Sequence, residues 1–366
     1  MPRRFETDTK PTVYDVAAQA QVSIATVSRY FSAPEKLASG TRERVGRVVE
    51  RLGYVQNSAA RRLAGGATGT VALCLPDFGD EDPVLDLTPS DGSVPVLRRP
   101  ADSAEDSDLY YSEILLGAEM ESRRNARALT VLIDRDAALE ERLSALDGQV
   151  DGMVVVAPAL ADERVEALGH RLPIVLVAAR GGEPHVDSVR CDNAAGMHAL
   201  TGHLIDDHGL RNVEFVAGPD DSPDSHSRFE GFRRALGERG LPVPEAPRWR
   251  GHFTRAGGAD AGRALLEAGR LPDAVVCAND QMALGVLGVL NEAGVRVPDD
   301  VAITGFDDIS AARWAHPALT TVRQPMLALG RAAMALLQQR ITSPEGDSRL
   351  LTLPVQLVLR ASCGCG

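Results

Sequence analysis

Residues 23–29 (SIATVSR) combine a polar cap, short side chains and one arginine. Ser23 is a good N-cap for the stretch IATVSRYF. A helix over that stretch would present Ile24, Ala25, Ser28 and Arg29 and turn Val27 and Phe31 inward. Short side chains let a helix sit deep in the major groove of DNA, and an arginine can reach guanine O6 and N7. The chemistry is recognition rather than catalysis. Other candidates are weaker. GGATG (65–69) precedes its strand, whereas a dinucleotide loop must follow one. His198, His203 and His208 are spaced by five, about 140° per step around a helix, so they share no helical face and cannot jointly hold a metal. The C-terminal CGCG offers two thiols without a second ligand pair and reads as a frayed tail. No cofactor and no metal are expected.

A reading helix needs a scaffold, and residues 12–52 supply one. Thr12 precedes VYDVAAQA with Asp15 three residues on, an imperfect capping box. Val13, Val16, Ala17 and Ala20 recur at helical spacing. QVS makes a tight turn into the second helix. A third helix fits TRERVGRVVERLGY, with Val45, Val48, Val49 and Leu52 on one face and Gly53 as its stop. Residues 54–69 read as a short polar helix followed by a glycine-rich linker, with Asn57 or Ser58 a candidate cap.

From Thr70 the pattern changes. Apolar, β-branched runs alternate with amphipathic helices: TVALCLP (70–76), ALTVLID (128–134), GMVVVAP (152–158), PIVLVAA (173–179), VEFVAG (213–218), AVVCAND (274–280) and VAITGFD (301–307). Continuous apolar strands alternating with helices imply parallel sheets covered on both faces. Seven such units exceed one doubly wound domain, and two lobes fit the length. Residues 79–108 break the rhythm, with nine acids, two arginines and four prolines, and read as a surface loop or disordered insertion.

Composition sets the limits. At about 150 residues per domain, 366 residues imply two to three domains. Hydrophobic residues at 44% and charged residues at 25% exclude disorder as the main architecture. No apolar run reaches the roughly 18 residues of a membrane span, and MPRRFETDTK has no signal-peptide core. Five cysteines, an odd count, with no export signal indicate a reducing cytoplasm. Net charge is −12, yet residues 1–66 carry 11 Lys/Arg against 6 Asp/Glu, a net of +5. A basic module on an acidic body fits a polyanion-binding head with a different task behind it.

These residues carry a family resemblance. TVYDVAAQAQVSIATVSRYFS followed by TRERVGRVVERLGYVQNSAARRLAGG resembles the headpiece of LacI/GalR-type transcriptional repressors. SRFEGFRRAL, CANDQMALGVLGVLNEAGVRVPDDVAITGFDD and LTTVRQPMLALGRAAMALL are similar to that family's effector-binding core. Only 79–108 lacks a counterpart. The resemblance implies an all-α helix-turn-helix headpiece (10–56), a hinge helix and linker (57–69), and an α/β core of two doubly wound, periplasmic-binding-protein-like lobes (70–366). It implies a homodimer on a near-palindromic operator.

The resemblance also assigns residues. Thr12, Tyr14, Ser23 and Thr26 join Ile24, Ala25, Ser28 and Arg29 as expected DNA contacts. Ile24 and Ala25 sit where family members choose operator sequence, and both are apolar, which favours thymine-methyl contact. NSAARRLAGG (57–66) resembles the hinge helix: Leu63 matches the leucine wedged into the minor groove, Ala60 permits close packing of two hinges, and Asn57 opens the segment. Arg228, Asn279 and Asp307 match polar effector ligands, Phe253 a stacking aromatic, and Tyr110 and Tyr111 the first-lobe wall. Ser222 and Asp224 fall on a loop that tunes ligand choice. Two departures stand out. Gln21 occupies a turn position where the family often has glycine. Ala178 and Ala179 stand where it often has aspartate and then arginine or tryptophan, which removes one hydroxyl-gripping carboxylate. The expected function is a cytoplasmic, nucleoid-associated, ligand-responsive repressor of transcription with no enzymatic activity and no membrane partner. Its partners are double-stranded operator DNA and a small effector: a sugar, a sugar derivative or a nucleobase-like metabolite. A transport protein on the same fold would need a signal peptide and lack the helix-turn-helix. An enzyme would need a phosphate loop after a strand or a catalytic constellation.

Overall fold

The computed structural model describes residues 11–54, 67–76, 108–133, 142–143, 146, 148–179 and 186–365. Two compact units make up the chain: residues 1–70 with 141–151, and residues 71–140 with 152–366. The expected hinge residues Asn57, Ala60 and Leu63 and the body of the 79–108 insertion lie outside the described residues.

In the first unit, α1 (Val13–Ala20), α2 (Ile24–Ser32) and α3 (Ser39–Leu52) close around Val16, Ala17, Ala20, Val27, Val45, Val48 and Tyr54. The capping box is complete: the Asp15 amide donates to Thr12 Oγ1, and the Thr12 amide donates to the Asp15 carboxylate at 2.8 Å. Ser23 Oγ accepts from the Thr26 amide at 3.2 Å, which starts α2. Phe31 packs toward Tyr54, with ring centroids 6.0 Å apart. α3 begins at Ser39, two residues earlier than the sequence suggests, and stops at Gly53 in the left-handed conformation.

The turn between α1 and α2 places Gln21 at φ 54°, ψ 49°. A side chain there crowds the following carbonyl, a cost of roughly 1 kcal/mol that glycine avoids. Gln21→Gly should therefore stabilise this unit by up to about 1 kcal/mol, offset in part by glycine's freer unfolded chain. Slower amide exchange at Val16 and Val27 would register the gain, whereas faster exchange would mean that Gln21 holds the turn through its side chain.

The second unit holds both lobes. The first contains β1 (Thr70–Leu75), α4 (Asp108–Arg124), β2 (Ala128–Ile133), β3 (Met153–Val156), α5 (Asp162–Gly169), β4 (Ile174–Val177) and β5 (Asp187–Cys191). The chain then crosses into the second: α6 (Asn193–Asp206), β6 (Val213–Ala217), α7 (Pro223–Glu238), β7 (Trp249–Arg250), α8 (Arg255–Glu267), β8 (Ala274–Cys277), α9 (Asp280–Glu292), β9 (Ala302–Thr304) and α10 (Ser310–Trp314). β10 (Thr321–Arg323) leads back to α11 (Met326–Thr342) and β11 (Leu350–Leu353) of the first lobe, and β12 (Gln356–Val358) returns to the second.

The first sheet runs β11-β5-β4-β3-β1-β2 and the second β7-β6-β8-β9. Pairing is parallel between β1 and β3, β3 and β4, β4 and β5, β5 and β11, and throughout the second sheet. Every residue of β3, β4, β8 and β9 is buried, which is why these strands read as unbroken apolar runs. The chain crosses between lobes three times, and β10 and β12, antiparallel to each other, lie on two of the crossings. α4 and α11 approach closely: a Cβ at Gly117 or Gly330 would run into the facing helix's backbone at Leu327 or Ile114. No helix among the described residues is long and apolar enough to cross a membrane.

All seven apolar runs are strands. Five further strands among the described residues, β5, β7, β10, β11 and β12, are not expected from the sequence. β5 (DSVRC) looks polar because Asp187, fully buried, accepts hydrogen bonds from both Arg340 and Arg349. Burial pushes that carboxyl up, but the two arginines outweigh it and hold its pKa below the usual value. Two expectations are corrected. The C-terminus is not frayed: residues 361–363 form a 3-10 turn, Ser362 Oγ donates to the Ile303 carbonyl at 2.6 Å, and Cys363 is buried. Nor does helical spacing keep His203 and His208 apart, because α6 ends at Asp206 and His208 lies beyond it. Their Nε2 atoms are 3.1 Å apart.

Candidate functional site

Two sets of residues carry chemistry, one in each unit. On the helix-turn-helix, Tyr14, Ile24, Ala25 and Arg29 are exposed and Ser28 is half-exposed. Ile24, apolar yet 42% exposed, is unexplained by the unit's own packing. Thr12, Ser23 and Thr26 face solvent or its margin, but their hydroxyls already serve caps: Thr12 bonds Asp15, and Ser23 Oγ lies 2.9 Å from Thr26 Oγ1. Val27 is buried, so α2 divides into an inward and an outward face as its sequence implies.

In the core, Arg228 of α7 organises the second lobe. Its side chain is 3% exposed and spreads its donors over three segments. Nε donates to Asn193 Oδ1 at 2.8 Å, and Nη1 to the Ala278 carbonyl at 2.6 Å. Nη1 also lies 3.5 Å from Asp307 Oδ1, and Nη2 3.7 Å from Asp224 Oδ2. The guanidinium sits 4.0 Å from the centroid of Phe306 and 5.6 Å from that of Phe253. Asn193 Nδ2 donates to Asp224 at 2.8 Å, and Gln324 Nε2 to Asp307 at 2.6 Å. Cys191 Sγ lies 2.8 Å from Gln324 Oε1. Two carboxylates thus share one guanidinium, with neutral amides filling the remaining bonds.

Asn279 and Ser222 are committed to local structure. Asn279 Oδ1 caps α9 by accepting from the Met282 amide at 3.0 Å, while Nδ2 donates to the Phe253 carbonyl at 3.0 Å. Ser222 Oγ caps α7 by accepting from the Ser225 amide. Asp307 lies past the end of β9, which stops at Thr304. His252, Phe253, Asp307 and Asp308 all have positive φ, as does Ala178 after β4. Left-handed backbone in non-glycine residues gathers at functional loops, here beyond the carboxyl ends of parallel strands where open α/β sheets bind ligands.

Electrostatics brings the first-lobe tyrosines into the same site. Tyr110 and Tyr111, on the first turn of α4, meet edge to face at 5.0 Å. Burial, then the charge on Asp224, pushes the Tyr110 phenol well up. Burial and the charges on Asp307 and Asp224 raise Tyr111 to about 12. Burial also raises both carboxyls, Asp307 to about 6, against the pull of Arg228. The structure therefore brings together Tyr110, Tyr111, Asp224, Arg228, Phe253, Asn279 and Asp307. Sequence reasoning missed Asn193, Gln324 and Phe306. Gln324 lies inside the quoted stretch LTTVRQP, but a neutral amide before a proline gives no chemical signal of its own.

Comparison with known proteins gives the wider setting. Residues 12–57 match the family of bacterial regulatory proteins of the lacI type, and residues 201–363 match the periplasmic binding protein-like domain. The HTH-type transcriptional regulator CelR of Thermobifida fusca is 34% identical over 358 residues, 96% of this chain and 98% of that one. Catabolite control protein A of Priestia megaterium is 32% identical over 357 residues, again 96% of this chain and 98% of its own. The solved complex of transcriptional regulator CelR with cellobiose superposes with a TM-score of 0.67 at 32% identity, covering 96% of this chain and 99% of that one. The lac repressor dimer bound to operator shares the fold, with a TM-score of 0.74 at 24% identity over 97% of this chain and 99% of that one. The chain belongs to the LacI family of DNA-binding transcription regulators, with a helix-turn-helix headpiece and a periplasmic-binding-protein-like core.

Proposed function

We propose that this regulator represses transcription as a homodimer on a near-palindromic operator. Residues 10–56 read DNA, 57–69 couple, and 70–366 sense an effector in the cleft between the lobes. Each half-site would take one α2, with Arg29 on a guanine and Ile24 and Ala25 on thymine methyls. Leu116 of α4 and Val131 of β2, both apolar and exposed, are available to a partner copy. Closure of the lobes about their three crossings would change the spacing of the paired hinges. The cytoplasm is the compartment in which such a protein meets its operator.

The observation that carries the effector reading is the buried grouping of Arg228 with Asp224 and Asp307. Two acids face the one buried guanidinium, and Arg190, the other arginine acting on Asp224, is only half-buried, so the site favours a neutral, hydroxyl-rich ligand that donates to the carboxylates. A phosphorylated ligand would meet repulsion. Cellobiose in the related CelR complex fits this class. Alanine at 178 and 179 removes the hydroxyl-gripping carboxylate that the family often carries there, which argues against a simple sugar. A disaccharide or a nucleoside suits the site better than a monosaccharide.

Asp307→Asn should weaken binding of such a ligand roughly ten- to a hundredfold, because a charge-assisted hydrogen bond to a buried group is worth about 1.5–3 kcal/mol. Wild-type affinity should fall as pH drops through about 6, where the Asp307 carboxylate protonates, and the variant should lose that dependence. The sign for stability is the opposite: a raised carboxyl pKa costs the folded state stability above pH 6 and relieves it toward pH 4. Calorimetric titration with neutral disaccharides and nucleosides, each against its phosphate, tests the reading. Tighter binding of a phosphorylated ligand would overturn it.

A further inference from the structure

The second lobe carries a cluster that the effector cleft does not use. His203, His208, Cys363 and Cys365 place one nitrogen or sulfur each within 4.8 Å of all the others. His203 is the last histidine of α6, and His208 follows in the loop after that helix ends. The two cysteines come from the C-terminal segment, far away in sequence. We propose that these four residues form a tetrahedral site for one zinc ion.

The distances fit. A tetrahedral centre with metal–nitrogen bonds of about 2.0–2.1 Å and metal–sulfur bonds of about 2.3 Å sets N···N near 3.4 Å and N···S near 3.6 Å. His203 Nε2 and His208 Nε2 are 3.1 Å apart. His203 Nε2 lies 3.7 Å from Cys363 Sγ and 3.4 Å from Cys365 Sγ, and His208 Nε2 lies 3.2 Å from Cys365 Sγ. Two thiolates and two neutral imidazoles are a donor set for a closed structural zinc site, and their two charges cancel those of the ion.

The surroundings orient the donors. His203 Nδ1 donates to Asp207 Oδ2 at 2.6 Å, which leaves the lone pair on Nε2 directed into the cluster. The Thr320 hydroxyl stands 3.0 Å from Cys363 Sγ, placed to donate to a thiolate. Gly364 lies between the cysteines at φ 99°, a left-handed turn that brings both sulfurs to one side, and a Cβ there would touch the His208 ring. His203 and Cys363 are buried, while His208 and Cys365 are half-exposed and leave an entry path. On binding, the zinc ion displaces one proton from each thiol to solvent. The ion would fasten the C-terminal segment, which follows the β12 crossing, to the end of α6, which follows the crossing after β5.

The test uses the full chain, reduced, stripped with a chelator and titrated with cobalt(II), then zinc(II). One equivalent of cobalt should give the visible bands of a tetrahedral ion and a thiolate charge-transfer band, both removed by one equivalent of zinc. Zinc should raise the melting temperature of the wild type. Cys365→Ser and His208→Asn, both at half-exposed positions, should melt like the stripped wild type yet lose the cobalt spectrum and the zinc-induced rise. A reduced wild type that gives no charge-transfer band overturns the site. So does an unchanged band in Cys365→Ser.

Discussion

Arg228→Met should destabilise the core by about 3–5 kcal/mol, because removing one partner from a buried ionic group leaves the others uncompensated. At roughly 2–4 °C per kcal/mol for a unit of this size, melting should fall by on the order of 10 °C. The loss arises from several broken bonds at once. Asn193 loses the donor to its Oδ1, the Ala278 carbonyl loses Nη1, and Asp224 and Asp307 keep their burial without their cation. Both carboxyls, already raised by burial, should then hold their protons to higher pH. Effector binding should disappear with the guanidinium. The double variant Arg228→Met/Asp307→Asn should recover part of the stability and none of the binding, since it removes a stranded charge without restoring a ligand contact. Equal melting of Arg228→Met and wild type would mean that this network is not what holds the second lobe's loops together.

Arg29→Ala should weaken operator binding about five- to 150-fold and binding to scrambled DNA hardly at all. The range follows from the roughly 1–3 kcal/mol of discrimination in one bidentate contact to guanine. Arg29 is exposed on α2 beside the apolar Ile24 and Ala25, so the core of the helix-turn-helix does not depend on it. The salt dependence of binding should stay nearly unchanged, because a base contact releases few counterions. If Arg29 instead touches phosphate, the loss will be uniform across sequences and the salt slope will fall by about one. Titrations of both DNAs at two salt concentrations separate these cases.

How much of this was legible in the sequence depends on the range of the interaction. The headpiece was readable almost residue by residue, because caps such as Thr12 with Asp15 and Ser23 with Thr26 act over three positions, and Val16, Ala20 and Val45 mark their helices by period. The seven apolar strands were readable because burial on both faces leaves no polar alternation to confuse them. β5 was not, since Asp187 meets its arginines on α11 and just before β11, more than 150 residues away. β10 and β12 are three residues each and, unlike the equally short β9 within VAITGFD, carry a charged or amide residue, Arg323 or Gln356, inside the strand. The cleft residues Arg228, Asn279 and Asp307 came from family resemblance rather than from spacing, which is why Asn193 and Gln324, neutral amides in connecting segments, went unnoticed. Helical geometry separates His203 from His208 only as far as Asp206, where the helix ends, and nothing local announces that Cys363 and Cys365 return to meet them.

The central claim is that a ligand in the cleft changes the grip of the headpiece on DNA. One measurement tests it most directly: operator affinity of the wild type, by fluorescence anisotropy, with and without a saturating amount of the tightest ligand found among neutral disaccharides and nucleosides. Allosteric coupling of about 1–3 kcal/mol should change that affinity five- to 150-fold, and operator DNA should change the ligand's affinity by the same factor. A ligand that fills the cleft by calorimetry, loses affinity in Asp307→Asn and yet leaves operator affinity unchanged would contradict the account.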